Sequence, residues 1–461
     1  MSDKRFIGFS VLCAVLLYGQ CSAENKIAQQ IENDVASRAI ALPSQMALDV
    51  EWYSPHINAT EVGRIIKGWV REDLVLLETE KHILIAVRRD NGVERWRCQL
   101  DQALRYSPAI SQNNVVVNVN NFLVAIERHV GGIRWKLLPN FPMSCEPLVI
   151  DPAEYPKKST KQWQKMESIY VGSWDGRLHA MSVRGRMCDY VKGVLDSQNF
   201  SAPEFDLSYL WHKTHTLRGA PTTGIKVRDN VLYYATDDKN FRAVDRDGEE
   251  HEPYSLLGAP VTGITLTNDS IYVGARDTFV YCLDRLTLRK KWFFAPGFEA
   301  EGNIMADELA TPLVYVATNN GMLNALRVQF SRPNKDLFDS SESFSKEWEV
   351  AGCAGVITAG PTIVYAGLNR EEGFPGYKGI AAIDKATGKV LWKNEGGLFS
   401  DYVEFHNSWT KPNQAARVYA ITADNRLVSL KEKLMDTGMK VVKPLEGDPK
   451  ASSRKSRNPV P

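Results

Sequence analysis

Ala382-Ile383-Asp384-Lys385-Ala386-Thr387-Gly388-Lys389-Val390-Leu391-Trp392 is the stretch whose reading decides the fold. An apolar strand ends in Ala-Ile-Asp, a Lys-Ala-Thr-Gly turn reverses the chain, and a short strand runs into the tryptophan. The glycine suits a tight turn because it adopts backbone angles that other residues avoid. The ten-residue interval from small residue to tryptophan recurs from Ala86 to Trp96, from Ala125 to Trp135 and from Cys282 to Trp292. A fixed interval repeated in this way marks an internal repeat, and it governs every later reading.

Working outward, each unit has a β-rich run such as Ile169-Tyr170-Val171-Gly172, a polar turn, and an alternating run that ends in a small residue. Asp175-Gly176 and Asn320-Gly321 are dipeptides that close tight hairpins. Asp237-Asp238 and Asp424-Asn425 occupy the matching places in their units. Eight units follow, centred on Ala86, Ala125, Ala180, Ala243, Cys282, Ala325, Ala382 and Ser429. Several are preceded by a small residue and proline: Ser107-Pro108, Ala220-Pro221, Ala259-Pro260 and Gly360-Pro361. Proline is tolerated at the start of a strand, so these segments are expected to begin the innermost strands, beside a central channel.

Eight four-stranded units of about 40 residues predict an all-β fold, an eight-bladed β-propeller. A two-sheet sandwich would not explain the fixed interval, and the Gly-His and Trp-Asp signatures of WD40 blades are missing. Trp52, Trp96, Trp135, Trp211, Trp292, Trp348 and Trp392 are expected to dock blade on blade, each contributing about 2–3 kcal/mol by burial. The units of Ala180 and Ala325 reach Trp211 and Trp348 only after insertions, expected to be loop-like, and the unit of Ala243 has Pro253-Tyr254 in place of tryptophan. The last unit, Val418 to Leu430, lacks a tryptophan, whereas the strand Leu48-Asp49-Val50-Glu51-Trp52 lacks a hairpin. That N-terminal strand is expected to complete the last blade, which would remove exposed sheet edges.

The chain of 461 residues has 56 Lys plus Arg against 55 Asp plus Glu, a balance without the basic excess of nucleic-acid-binding domains. Lys4 and Arg5 precede an apolar run from Phe6 to Tyr18, too short to span a bilayer, and Cys21-Ser22-Ala23 offers small residues for cleavage before Glu24. The alternative is lipidation of Cys21, for which Gln20 is a poor predecessor. The expected organisation is a signal peptide at 1–23, a helical or disordered leader at 24–46, the propeller at 47–432 and a disordered polar tail at 433–461. The protein is therefore expected to be exported to the periplasm, with no transmembrane helix in the mature chain.

No catalytic residue and no metal site is assigned from the sequence. Cys98, Cys145, Cys188, Cys282 and Cys353 are scattered without a Cys-x-x-Cys pair, and a disulfide, for example Cys98 with Cys145, is left open. His212 and His215 lack a third ligand nearby. Asp175, Asp237, Asp238 and Asp277 read as turn carboxylates that hydrogen-bond local backbone.

The pattern Ala-x-Asp-x-x-Thr-Gly-x-x-x-Trp at Ala382 to Trp392 resembles the docking motif of quinoprotein-type propellers. That group includes dehydrogenases using pyrroloquinoline quinone (PQQ) and the non-enzymatic BamB family of outer-membrane assembly factors. The resemblance covers about residues 47–432. Within it, Leu217-Arg218-Gly219-Ala220-Pro221-Thr222 is similar to a BamB-family loop that contacts a BamA-like barrel-assembly protein, which implies Leu217 and Arg218 as partner contacts. His215 stands where that family has a leucine, and Ser255 and Leu257 stand where it has an acidic pair. The resemblance implies a non-catalytic periplasmic scaffold, associated with the outer membrane, that binds protein and no cofactor. The alternative is a dehydrogenase of alcohols or sugars with PQQ and calcium, or a sugar-sensing relative. The dehydrogenases are larger and carry two neighbouring cysteines, which this chain lacks.

Overall fold

The computed structural model describes residues 48–152, 167–185, 205–214, 219–307, 312–330, 342–368, 379–394, 399–405 and 416–433. The expected signal peptide, the leader and all of the tail except Lys433 lie outside the described residues. Blades are numbered in chain order, from blade 1 around Ala86 to blade 8 around Ser429.

Short apolar runs decide where the strands lie. Leu74–Thr79 reads LVLLET and is buried throughout. Such a continuous run fits a strand covered on both faces. It is the second strand of blade 1, and its counterparts Asn114–Val119 and Ser168–Ser173 are equally buried. Blade 7 shows the common plan: Cys353–Ala359 innermost, then Ile363–Leu368, Ile380–Asp384 and, outermost, Val390–Asn394. All eight blades are antiparallel meanders of this kind, and together they form an eight-bladed β-propeller.

Blade 8 is assembled from both ends of the chain. Phe399–Tyr402, Arg417–Thr422 and Leu427–Glu432 supply three strands, and Leu48–Tyr53 is the fourth, with Val50 opposite Leu430 and Trp52 opposite Ser429. Glu51 clamps that closure: Arg417 donates to its carboxylate at 2.7 and 2.9 Å, and the Ser429 hydroxyl donates at 3.0 Å. Blade 1 carries a fifth strand, Glu404–Phe405, parallel to its innermost strand Ile65–Arg71.

Two expectations are corrected. The small-residue–proline pairs do not share one position. Pro108 directly precedes the innermost strand Ala109–Ile110, but Pro221 and Pro260 bridge Thr236 and Ala275 several residues ahead of theirs. Gly360-Pro361 lies in the turn between the first two strands of blade 7. The pairs stand at different places relative to the innermost strands, so proline alone does not set register. The insertions also begin and end as strands rather than loops. Arg177–Gly185 pairs with Phe205–Thr214, and Met322–Phe330 with Glu342–Ala351, which lengthens the outer hairpins of blades 3 and 6.

Candidate functional site

The seams between blades come first, because they fix which surfaces stay open. In seven blades a tryptophan stands directly across the sheet from the small residue of its unit. The pairs are Ala86 with Trp96, Ala125 with Trp135, Ala180 with Trp211, Cys282 with Trp292, Ala325 with Trp348, Ala382 with Trp392, and Ser429 with Trp52. The register slips at each of these pairs. Such a bulge re-aims a side chain out of the pleat.

The indole then lies on the turn of the next blade. A Cβ on Gly131 would stand 2.7 Å from Trp96, one on Gly388 would stand 2.6 Å from Trp348, and one on Gly92 would collide with Trp52. These glycines have φ of +75° (Gly92), +78° (Gly131) and +72° (Gly388), so both the space and the backbone exclude a side chain. Trp96 Nε1 donates to the Arg128 carbonyl at 2.7 Å and Trp348 Nε1 to that of Lys385 at 3.0 Å. Trp292 instead meets Phe344 of the lengthened hairpin, with ring centroids 4.7 Å apart. Trp135 is buried among Met181 and Ile169 of blade 3. Trp392 is only half-buried, and its Nε1 has no partner among the described residues. The Trp211 side chain lies outside the described residues.

Blade 4 lacks this tryptophan, and its outer strand shrinks to Tyr254–Ser255. The turn of blade 5 compensates: Leu288 stands where glycine stands elsewhere, with φ +55° and 2% exposure, packed in the core shared with blade 4. With no indole to accommodate, a leucine fills the seam.

A second device joins the blades further in. Tyr170, Tyr233, Tyr272, Tyr315, Tyr365 and Tyr419 lie opposite the small residues of blades 3 to 8. Three residues after the small residue, blades 1, 2, 4, 5 and 7 carry Arg89, Arg128, Arg246, Arg285 and Lys385. The cation of one blade reaches its predecessor. Arg89 Nε donates to the Tyr419 hydroxyl and Arg246 Nε to that of Tyr170, each at 3.0 Å. Arg128 reaches Glu72 at 2.7 Å as well as Asp73, Arg285 reaches Asp229 at 2.8 Å, and Lys385 pairs with Asp307. Burial raises the hydroxyl pKa values of Tyr170 and Tyr233 further, and the Tyr233 hydroxyl donates to the Arg285 carbonyl at 3.2 Å.

The eight blades surround a channel of about 1070 Å³. Its wall alternates apolar residues such as Ile110, Val227 and Leu266 with the charged Arg71, Glu146, Lys226 and Glu301. The channel wall therefore offers carboxylates. Glu146 accepts from the Ser107 hydroxyl, and Lys226 Nζ lies 3.6 Å from it. That carboxylate is already balanced by a hydroxyl and an ammonium, which does not suit an oxygen cage for calcium. Among the described residues no three His, Cys, Asp or Glu side chains converge as a metal site.

The two ends of the disc differ. Connections between blades lie beside the second hairpin of the blade they enter, as the bridges Met143–Ser173, Pro221–Thr236, Pro260–Ala275 and Ala300–Thr318 show. On this end Leu138, Trp174, Leu257 and Phe298 are 61%, 47%, 70% and 50% exposed. Leu217 and Arg218 belong to the connection entering blade 4 but lie outside the described residues. Sequence registers them with the next connection. Leu217-Arg218-Gly219-Ala220-Pro221-Thr222-Thr223-Gly224-Ile225 and Leu256-Leu257-Gly258-Ala259-Pro260-Val261-Thr262-Gly263-Ile264 match at seven of nine positions, which pairs Arg218 with Leu257.

The remaining sequence candidates are turn and core residues. Asp237 Oδ1 accepts from the Ala220 amide at 2.7 Å, Asp277 Oδ1 from that of Phe279 at 3.0 Å, and Asp238 pairs with Arg242 at 2.8 Å. Asp175 accepts from the Ser173 hydroxyl. Cys98, Cys145, Cys282 and Cys353 are buried and form no disulfide, so the Cys98–Cys145 bridge is not made, and burial pushes Cys145 up to about 12. Cys188, His215 and the His212 side chain lie outside the described residues. No described helix is long and apolar enough to cross a membrane.

No family model and no curated protein matches this chain in sequence. Among solved structures, BamB from Moraxella catarrhalis is similar at a TM-score of 0.55 and 14% identity, covering 84% of this chain and 98% of that one. The computationally designed Ika8 protein is similar at a TM-score of 0.51 and 12% identity, covering 83% and 99%. At such identities the likeness is one of fold.

Proposed function

We propose that this propeller is a non-catalytic scaffold of the bacterial envelope that binds a protein partner through the end of the disc where the blades are connected. In this reading it serves outer-membrane β-barrel assembly in the manner of the BamB family. The observation that carries the proposal is the set of large apolar side chains left open on that end, with Leu257 foremost. Exposed apolar side chains grouped on one end of a disc are candidates for an interaction site. The apolar and basic pair Leu217-Arg218 sits in the adjoining connection, and an arginine beside an apolar anchor is a frequent source of binding energy. A BamA-like assembly protein is the partner this reading names.

Arg218→Glu tests the site: it should weaken capture of a BamA-like protein at least tenfold while leaving the circular dichroism spectrum and melting temperature of the propeller in place. Unchanged capture would remove Arg218 from the interface. Incubation with PQQ and calcium tests the class of function. No bound chromophore and no dye-linked oxidation of alcohols or sugars is expected, and either one would replace the scaffold with a quinone enzyme.

A further inference from the structure

One seam between blades keeps the acid of the clasp without its cation, and the structure assigns a ligand class to the gap: we infer that the seam between blades 5 and 6 receives an alkylguanidinium or alkylammonium cation from outside the chain. Blades 3 and 6 carry Val183 and Val328, and blade 8 carries Glu432, where the other five carry arginine or lysine. In the seam entering blade 8 the receiving turn Gly360-Pro361-Thr362 has no acid. In the seam entering blade 3 the receiving half has gone too. Val116 replaces the tyrosine, and the turn Ser111-Gln112-Asn113 has no acid.

The seam entering blade 6 keeps its receiving half. Tyr272 lies opposite Cys282. Asp269 stands three residues ahead of Tyr272, as Asp73, which pairs with Arg128, stands three ahead of Leu76. No described basic side chain forms an ion pair with the Asp269 carboxylate; Lys291 donates instead to the Asp269 carbonyl and the Ser270 hydroxyl, at 3.0 and 2.9 Å. Where the cation is missing the seam is hollow. A cavity of about 170 Å³ opens there, lined by Thr267, Asp269, Tyr272, Asp307, Val314 and Val328. A single water claims about 30 Å³ of liquid, so the space exceeds a solvent site and admits a side chain. Asp307 forms its rear wall and is committed to Lys385, which leaves Asp269 at the rim to meet the incoming charge. The ligand enters with its alkyl part on Val314 and Val328 and its charge at Asp269, as Arg285 lies in the neighbouring seam beside Asp229. This slot lies at the first-hairpin end of the disc, opposite the connections, and is independent of the partner-binding reading above.

Butylguanidinium titrated into the full-length protein, followed by calorimetry, tests the assignment. The wild type should bind one equivalent. Asp269→Asn should weaken binding at least tenfold, Val328→Arg should abolish it by filling the slot in cis and should raise the melting temperature, and the neutral isostere butylurea should not bind. Affinities within twofold for wild type and Asp269→Asn, or equal binding of butylurea, would overturn the inference. Asp269 lies exposed on a turn, so its variant remains readable even if Val328→Arg fails to fold. Binding of a capped Gly-Arg-Gly peptide as tight as that of butylguanidinium would assign the slot to a partner's arginine; binding of the free cation alone would assign it to a small amine or guanidine.

Discussion

At the scale of single residues, the docking tryptophans are chemically alike but not equally engaged. Trp96 is buried, packed on Gly131 and hydrogen-bonded to the next blade, whereas Trp392 is half-buried with its Nε1 unpartnered. Trp96→Ala should cost about 3–5 kcal/mol in urea denaturation, the range for large aromatic truncations in a packed site, and Trp392→Ala distinctly less. Equal losses would mean that the landing turn adds nothing. Glu78 supplies a test by pH. It is fully buried, one oxygen accepts from the Leu104 amide at 2.6 Å, and the other has no partner. Burial raises its pKa, so the folded state binds this proton more tightly than the unfolded chain. Its ionisation therefore opposes folding above the raised value, and that loss disappears as pH falls toward the ordinary carboxyl range. Glu78→Gln should gain stability relative to wild type at pH 8 and lose the advantage near pH 4. Thermal melts at the two pH values decide it, and a constant difference would contradict the reading.

At the scale of elements, the repeat was legible because its signal is local. The interval from Ala382 to Trp392 crosses one hairpin, so sequence spacing alone places the residues opposite each other, and Trp52 without a hairpin implied the closure of blade 8. The clasp was not legible, because its partners sit in different blades: Tyr170 and Arg246 are 76 residues apart. The exchange of Trp and Gly for Leu288 was hidden for the same reason, since a missing tryptophan in one unit is answered in the next. Of the proposed contact site, the motif at 217–218 was visible, but the exposure of Trp174, Leu257 and Phe298 depends on what neighbouring blades leave uncovered. The closing strand makes its own prediction. Val50→Pro puts a residue with fixed φ and no N–H into the middle of the strand that seals the ring, and should loosen its pairing with Leu427–Glu432. Hydrogen exchange of blade 8 amides should then accelerate ahead of blades 2 to 5. Uniform exchange would show that the ring does not depend on this strand.

At the scale of the whole molecule, the seams engage many of the described tyrosines, arginines and tryptophans. Tyrosines, arginines and tryptophans that might have furnished a site hold blades together. What stays open among the described residues is the channel, one vacant cation slot, and apolar side chains on both ends of the disc, with Leu138, Trp174, Leu257 and Phe298 on the connection end. The scaffold proposed above draws on that last feature. The direct measurement is affinity capture from bacterial envelopes with the full-length chain, comparing wild type, Leu257→Asp on the connection end and Leu286→Asp on the opposite end. These two leucines are equally exposed, each at 70%. The account predicts that a BamA-like assembly protein is retained by wild type and by Leu286→Asp and lost by Leu257→Asp. Capture that is unaffected by Leu257→Asp, or abolished only by Leu286→Asp, would contradict it.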